Sequence, residues 1–251
     1  MDPRLIDASV DAFWSFVSTG APHRVLPDGC MDVLFDLSSA QASVVGAMSR
    51  ATVVHSPRGT HVFGVRFRPG RASLFIDAVA AELRDVRGPL GMLIGSAAER
   101  LTEQVLAART DEERALAVAA FVHEPGSRVR GNDARVDHAA RALERTHGAL
   151  PISEVARAVG LSERQLERVF RERVGVQPKF FARVQRMQRA LGLVSRNALS
   201  GTEVAAAAGY ADEPHLLRDF RALCGTTPSR LAGDVGFVRS PVDVEDLLEH
   251  P

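Results

Sequence analysis

The feature that most restricts the fold of this chain is an internal repeat towards its C-terminal end. Residues 153–162 read Ser153-Glu154-Val155-Ala156-Arg157-Ala158-Val159-Gly160-Leu161-Ser162 and are followed by Phe170, Gly175 and Pro178. Residues 202–211 read Thr202-Glu203-Val204-Ala205-Ala206-Ala207-Ala208-Gly209-Tyr210-Ala211, followed by Phe220, Gly225 and Pro228. Phe to Gly is five positions and Phe to Pro eight in both copies, and the Gly-to-Phe interval differs by one residue. Each copy predicts two short helices. Ser153 or Thr202 is the expected N-cap of the first, and Gly160 or Gly209 falls where that helix must end in a left-handed residue, which only glycine adopts cheaply. Ser162 or Asp212 then caps the second helix, whose apolar residues Leu166, Val169 and Phe170, or Leu216, Leu217 and Phe220, turn inward against the small residues of the first.

Between the copies, Pro178 opens a segment in which Phe181, Val184, Met187, Leu191 and Val194 keep helical spacing. This predicts one helix over 178–194, holding the two units at a fixed separation. A pair of helices joined by a tight Gly turn is the helix-turn-helix pattern, whose second helix enters the major groove of DNA. Charge points the same way. The chain carries 31 basic and 31 acidic side chains, yet residues 132–232 hold 16 Arg or Lys against 11 Asp or Glu, and Arg157 to Arg196 holds ten against three.

The segment 134–232 resembles the DNA-binding domain of the AraC/XylS family of bacterial transcription regulators, through Gly209-Tyr210, Asp212, Arg218, Phe220, Arg221, Gly225, Thr227 and Pro228. The resemblance implies an all-α domain with two helix-turn-helix units joined by one helix. This sequence has Pro214 where the family has Ser, Leu216 where it has Phe, and Leu231-Ala232 where it commonly ends in Tyr-Arg. In the first recognition helix Arg164, Glu167 and Arg168 form one exposed stripe and are the expected base readers, since Arg binds guanine through two hydrogen bonds and Glu accepts from cytosine. Glu167 has the alternative of pairing with Arg164, Arg168 or Arg171. In the second helix His215 and Arg218 take that role beside Pro214, which has no donor. Arg171, Lys179, Arg183 and Arg221 are the expected phosphate contacts, with Arg189 beside them, whereas Arg186 has the alternative of packing internally.

Upstream, Pro, Gly and mixed charge at 124–133 predict a linker, so that residues 1–123 and 134–232 fold separately, with an acidic tail over 233–251. Residues 5–17 read as an amphipathic helix. Period-two segments at 31–37, 42–46, 51–55 and 61–68 read as strands, with four or five between Pro22 and Gly70. Helical spacing returns at 72–76, 90–108 and 111–122. The expected fold is therefore an α+β N-terminal domain, a small antiparallel sheet flanked by helices, ahead of the all-α domain. The first segment is also similar to the domain found ahead of this module in one group of such regulators, through Arg24-Val25-Leu26-Pro27-Asp28-Gly29-Cys30-Met31-Asp32 and Gly64-Val65-Arg66-Phe67-Arg68-Pro69-Gly70. That implies a sensing or dimerising role.

Arg66 and Arg68 on one strand face, with Arg71 opening a helix, make a weak candidate anion or effector site, against the plainer reading of a salt-bridged sheet face. Cys30 follows a Pro-Asp-Gly turn and has no partner at the spacing of a nucleophile's base. Together with His23, His55 and His61 it matches no class of metal site. No catalytic residue, metal or cofactor is expected. A DNA-repair alkyl-transfer enzyme fused to similar helices would need a cysteine-rich metal site and Pro-Cys-His, and this chain has two cysteines and neither feature. An adaptor with a degenerate helix-turn-helix has only Pro214 and Ala232 in its favour. No apolar run reaches the length of a membrane span and no apolar leader opens the chain, so a cytoplasmic, non-membrane protein is expected. Its expected partners are double-stranded DNA, RNA polymerase, a small-molecule effector and a second copy of itself.

Overall fold

Alternate burial along Met31–Asp36 places Met31, Val33 and Phe35 on one face, opposite Phe63, Val65 and Phe67 of His61–Phe67. The two segments pair as the centre of a sheet. In this computed structural model, which describes residues 9–72, 75, 78–122, 133–195 and 200–232, the strands are β1 (Val10–Val17), β2 (His23–Val25), β3 (Met31–Asp36), β4 (Gln41–Val45), β5 (Thr52–Val54), β6 (His61–Phe67) and β7 (Arg87–Pro89). Five form an antiparallel sheet in the order β1-β6-β3-β4-β7, and β2 pairs with β5 in a separate ribbon.

The amphipathic helix expected over 5–17 is replaced, in its described part, by strand β1. Two features erase its period of two. The register with β6 shifts between Val10 and Ala12, a bulge that offsets the alternation, and both faces carry aromatics. Phe13 stacks on Phe63 at 5.9 Å inside the core, while Phe16 tilts against His23 at 4.9 Å on the other face. Trp14 lies directly over Gly64, where any side chain would clash with its indole. Residues 73–74 and 76 of the helix expected at 72–76 lie outside the described residues. The expected helix over 90–108 is two, α1 (Gly91–Ile94) and α2 (Ala97–Ala107), broken at Gly95, which has a φ of 61°. α3 (Asp111–Val122) follows as expected.

The C-terminal half is helical: α4 (Ala134–Arg145), α5 (Ile152–Ala158), α6 (Glu163–Val174), α7 (Pro178–Val194), α8 (Gly201–Ala207), α9 (Glu213–Cys224) and α10 (Pro228–Ala232). One hydrophobic core crosses the expected boundary, running from Phe35, Phe63 and Leu101 to Leu143, Leu166, Phe170 and Phe181. The two halves therefore do not bury separate cores: α6 packs on the short turn Ala80–Leu83, and Phe181 of α7 on the turn at Gly29. A second cluster gathers Val184, Met187, Leu216, Phe220 and Leu223, together with Leu26 from the first half. Of the linker expected at 124–133, residues 124–132 lie outside the described residues, as does the tail at 233–251, while Asp133 caps α4.

Polar fasteners reinforce the junction. Arg71 pairs with the buried Asp137 of α4, and Glu144 of α4 lies among Asp11, Arg68, Arg141 and Asp137. Burial and the Asp11 carboxylate push the Glu144 carboxyl from 4.5 up to about 7. A carboxyl raised on folding stabilises below its unfolded value and loses that stabilisation as pH climbs through the folded one. Glu144→Gln, neutral at every pH, should thus match the wild type near pH 4 and exceed it by about 1–3 kcal/mol at pH 8. Urea unfolding midpoints across that range measure the difference.

Candidate nucleic-acid interface

Each recognition helix is bounded in its own sequence by an N-cap side chain and a left-handed glycine. The Ser162 hydroxyl accepts from the Gln165 N–H while the Gln165 side chain accepts from Ser162, a reciprocal capping box, and α6 ends at Gly175 in the left-handed region. Asp212 accepts from the His215 N–H at 2.6 Å, and α9 ends at left-handed Gly225. The inter-helix turns use Gly160 and Gly209 at φ 68° and 82°. The expected caps of the preceding helices are corrected. α5 begins after Pro151, with Ser153 already inside its first turn, and α8 is capped by Ser200 in a box with Glu203, not by Thr202. In both units an extended residue upstream takes the cap position.

Arg164, Glu167, Arg168 and Arg171 are all exposed and line, with Ser162, Gln165 and Gln177, an open groove of about 450 Å³ along α6. Arg168 pairs with Glu172 at 3.2 Å, four residues on. Both side chains are well exposed, so that pair is worth under about 1 kcal/mol and yields easily to another acceptor. On α9, Pro214, Arg218 and Arg221 are exposed, whereas His215 is half-buried with its ring edge-on to Tyr210 at 5.2 Å. The second unit thus presents a fixed imidazole and one guanidinium where the first presents two guanidinium groups and a carboxylate.

Helix α7 changes the expected phosphate set. Arg183 is committed to Asp219 of α9, donating at 2.8 Å to a carboxylate whose side chain is 8% exposed. A buried carboxylate requires a charged partner, so Arg183 ties α7 to α9, and the expectation of a phosphate contact gives way to this internal role. Asp219 was missed in the sequence, although its place three residues after Leu216 and one before Phe220, on the apolar side of α9, is a readable signal. Arg186 donates to the Gly148 carbonyl at 2.8 Å and lies over the Tyr210 ring, and Arg189 donates to the Ala207 carbonyl at 2.8 Å. Lys179 is exposed at the start of α7.

The N-terminal arginines turn to protein partners. Arg66 reaches Asp28 at 3.1 Å and Asp32 at 3.1 Å, and those two carboxylates outweigh the cost of burial and hold its guanidinium firmly charged. Arg68 donates to the Val10 carbonyl. Arg71 lies in a turn and pairs with Asp137. The three form no common anion cradle, because each faces a different acceptor. Asp28 accepts from the Cys30 N–H at 2.9 Å, the expected turn, and burial and Asp28 push the Cys30 thiol well up, which keeps it protonated. Burial likewise pushes the Cys224 thiol up to about 12. Among the described residues no three His, Cys, Asp or Glu side chains converge as a metal site requires. Among them, too, no helix is long and apolar enough to cross a membrane.

Residues 155–233 match the family model described as a Helix-turn-helix domain. The stretch from α5 to α10 is therefore similar to helix-turn-helix domains. Residues 3–89 match a domain of unknown function, DUF6597. The chain is 30% identical over 186 residues to the HTH-type transcriptional regulator GlxA of Rhizobium meliloti (strain 1021), a stretch covering 70% of this chain and 56% of that regulator. Among solved structures it is similar to a transcriptional regulator with an AraC-type DNA-binding domain from Chromobacterium violaceum, at 27% identity over 40% of this chain and 90% of that one, with a TM-score of 0.38. It is also similar to unsaturated fatty acid bound ToxT from Vibrio cholerae strain SCE256, at 11% identity over 93% of this chain and 99% of that one, with a TM-score of 0.46.

Arg183→Met should lower stability by roughly 3–5 kcal/mol, because it strands Asp219, while Arg183→Met with Asp219→Leu recovers most of the loss. Chemical denaturation of the two variants measures both quantities.

Proposed function

We propose that this chain is a sequence-specific DNA-binding transcription regulator without catalytic chemistry, working in the cytoplasm, in which α6 and α9 enter successive major-groove segments. The observation that carries this reading is the pair of recognition helices, each capped at both ends and each bearing exposed arginine, joined by the single helix α7. A rigid spacer of that kind lets one chain address two groove segments about one helical turn, roughly 34 Å, apart. Arg164, Glu167 and Arg168 read bases in the first segment and His215 and Arg218 in the second, while Arg171, Lys179 and Arg221 hold phosphates. The N-terminal half, packed against the DNA-binding helices through a common core, is the part on which an effector, RNA polymerase or a second copy of the chain acts.

The units are unequal in this reading. The first supplies most of the sequence preference and the second mainly affinity, since a Pro at 214 and a ring-packed His215 leave fewer groups for base edges. Sites selected from a random duplex pool should show one well-defined stretch and, about ten base pairs away, a degenerate one. Arg164→Ala or Arg168→Ala should weaken specific binding by about 1–3 kcal/mol and relax one or two base positions. Arg218→Ala should cost less discrimination. Equal information in both stretches would overturn the ranking, and failure to enrich any sequence would overturn the function.

A further inference from the structure

The second helix-turn-helix unit is completed by residues far from it in sequence. Arg24, in the middle of β2, donates from Nη1 to the Cys224 carbonyl at 3.1 Å, and the Ala51 N–H, just before β5, donates to the Leu223 carbonyl at 2.6 Å. These are among the last carbonyls of α9, which have no acceptor role left inside the helix. A guanidinium at that end also opposes the negative pole of the helix dipole. Two residues on, Leu26 is buried in the cluster formed by α7, α8, α9 and α10, and Gln188 of α7 donates to the Pro27 carbonyl at 3.0 Å. One short run of the N-terminal half therefore grips both the far end of α9 and the side of α7.

The first unit has less need of such a support. α6 sits within the large core shared with the sheet, whereas α9 belongs to the smaller cluster, to which the N-terminal half contributes Leu26 and Ala51. The base-facing residues of α9 lie in its first two turns, at the end opposite Arg24, so a small change of tilt at Cys224 is carried along the rigid helix to His215 and Arg218.

We propose that Arg24 is a positioning residue for DNA recognition: through the C-terminal carbonyls of α9, the β2–β5 ribbon sets the angle at which the second recognition helix meets DNA. The inference rests on the DNA-reading role proposed for α9. It assigns a task to the Arg24-to-Pro27 stretch, which belongs to the matched domain of unknown function.

The test uses the full-length chain as wild type, Arg24→Met and Arg24→Lys. In the free protein, hydrogen exchange of the segment 213–224 should quicken about tenfold in Arg24→Met while 163–174 stays unchanged, with Arg24→Lys between, since an ammonium keeps the charge and one donor. On a duplex selected by the wild type from a random pool, hydroxyl-radical footprints of Arg24→Met should lose protection over the degenerate stretch and keep it over the well-defined one. Unchanged exchange in 213–224, or equal loss of protection over both stretches, would overturn the proposal. Should Arg24→Met fail to fold, Arg24→Gln, which keeps a neutral donor, takes the same two readouts. A wild type that selects no duplex sinks the DNA-reading role, and the exchange comparison then still decides whether the ribbon holds α9.

Discussion

Phe181 is the contact on which the arrangement of the two halves depends. Its ring is fully buried, packs at a tilt against Phe170 of α6 at 5.6 Å, and lies so close to Gly29 that no side chain fits there. Packing of that density leaves the Pro27-to-Cys30 turn one position relative to α7. The turn is in turn pinned to the sheet by Arg66, which holds Asp28 at its tip and Asp32 on the neighbouring strand. Sheet, turn and connecting helix thus form one mechanical path, and both recognition helices are mounted on its end. In the function proposed above, an effector acting on the sheet has that path available to reach the recognition helices.

Arginine does two jobs here, separated by burial. Arg66, Arg71, Arg183 and Arg186 lie at junctions and bind carboxylates or carbonyls across them, while Arg164, Arg168, Arg171, Arg218 and Arg221 stand outward on the recognition helices. The guanidinium suits both, since its planar fork pairs with a carboxylate through two bonds inside the protein and with guanine or phosphate outside it. That is why a basic stretch by itself overstates the outward-facing positive surface. Between Arg157 and Arg196 the excess of positive charge is real, yet part of it is neutralised by Asp219, which lies beyond that stretch.

The second half was legible because its signals are local. Left-handed glycines at 160 and 209, caps at Ser162 and Asp212, and the apolar period of 178–194 each act within a few residues, and the structure places them where the sequence does. The caps of α5 and α8 each lie two residues before the expected ones, since Ser153 and Thr202 resemble caps but the chain upstream is already extended at Pro151 and Ser200. The first half was harder. β1 hides its period behind a bulge and behind aromatics on both faces, so its apolar spacing imitates a helix until the strand finds β6.

The sequence by itself determined the repeat, its two capped recognition helices, the spacer between them and the outward arginines, because each follows from backbone geometry within one or two turns. Only the tertiary structure decided that the two halves share a core, that Arg183 serves Asp219, that the Arg66 and Arg71 guanidinium groups are fasteners, and that Arg24 and Leu26 complete the second unit. These are contacts between residues tens to hundreds of positions apart. They depend on which surfaces remain uncovered once the local elements have formed, and no local pattern of residues encodes that.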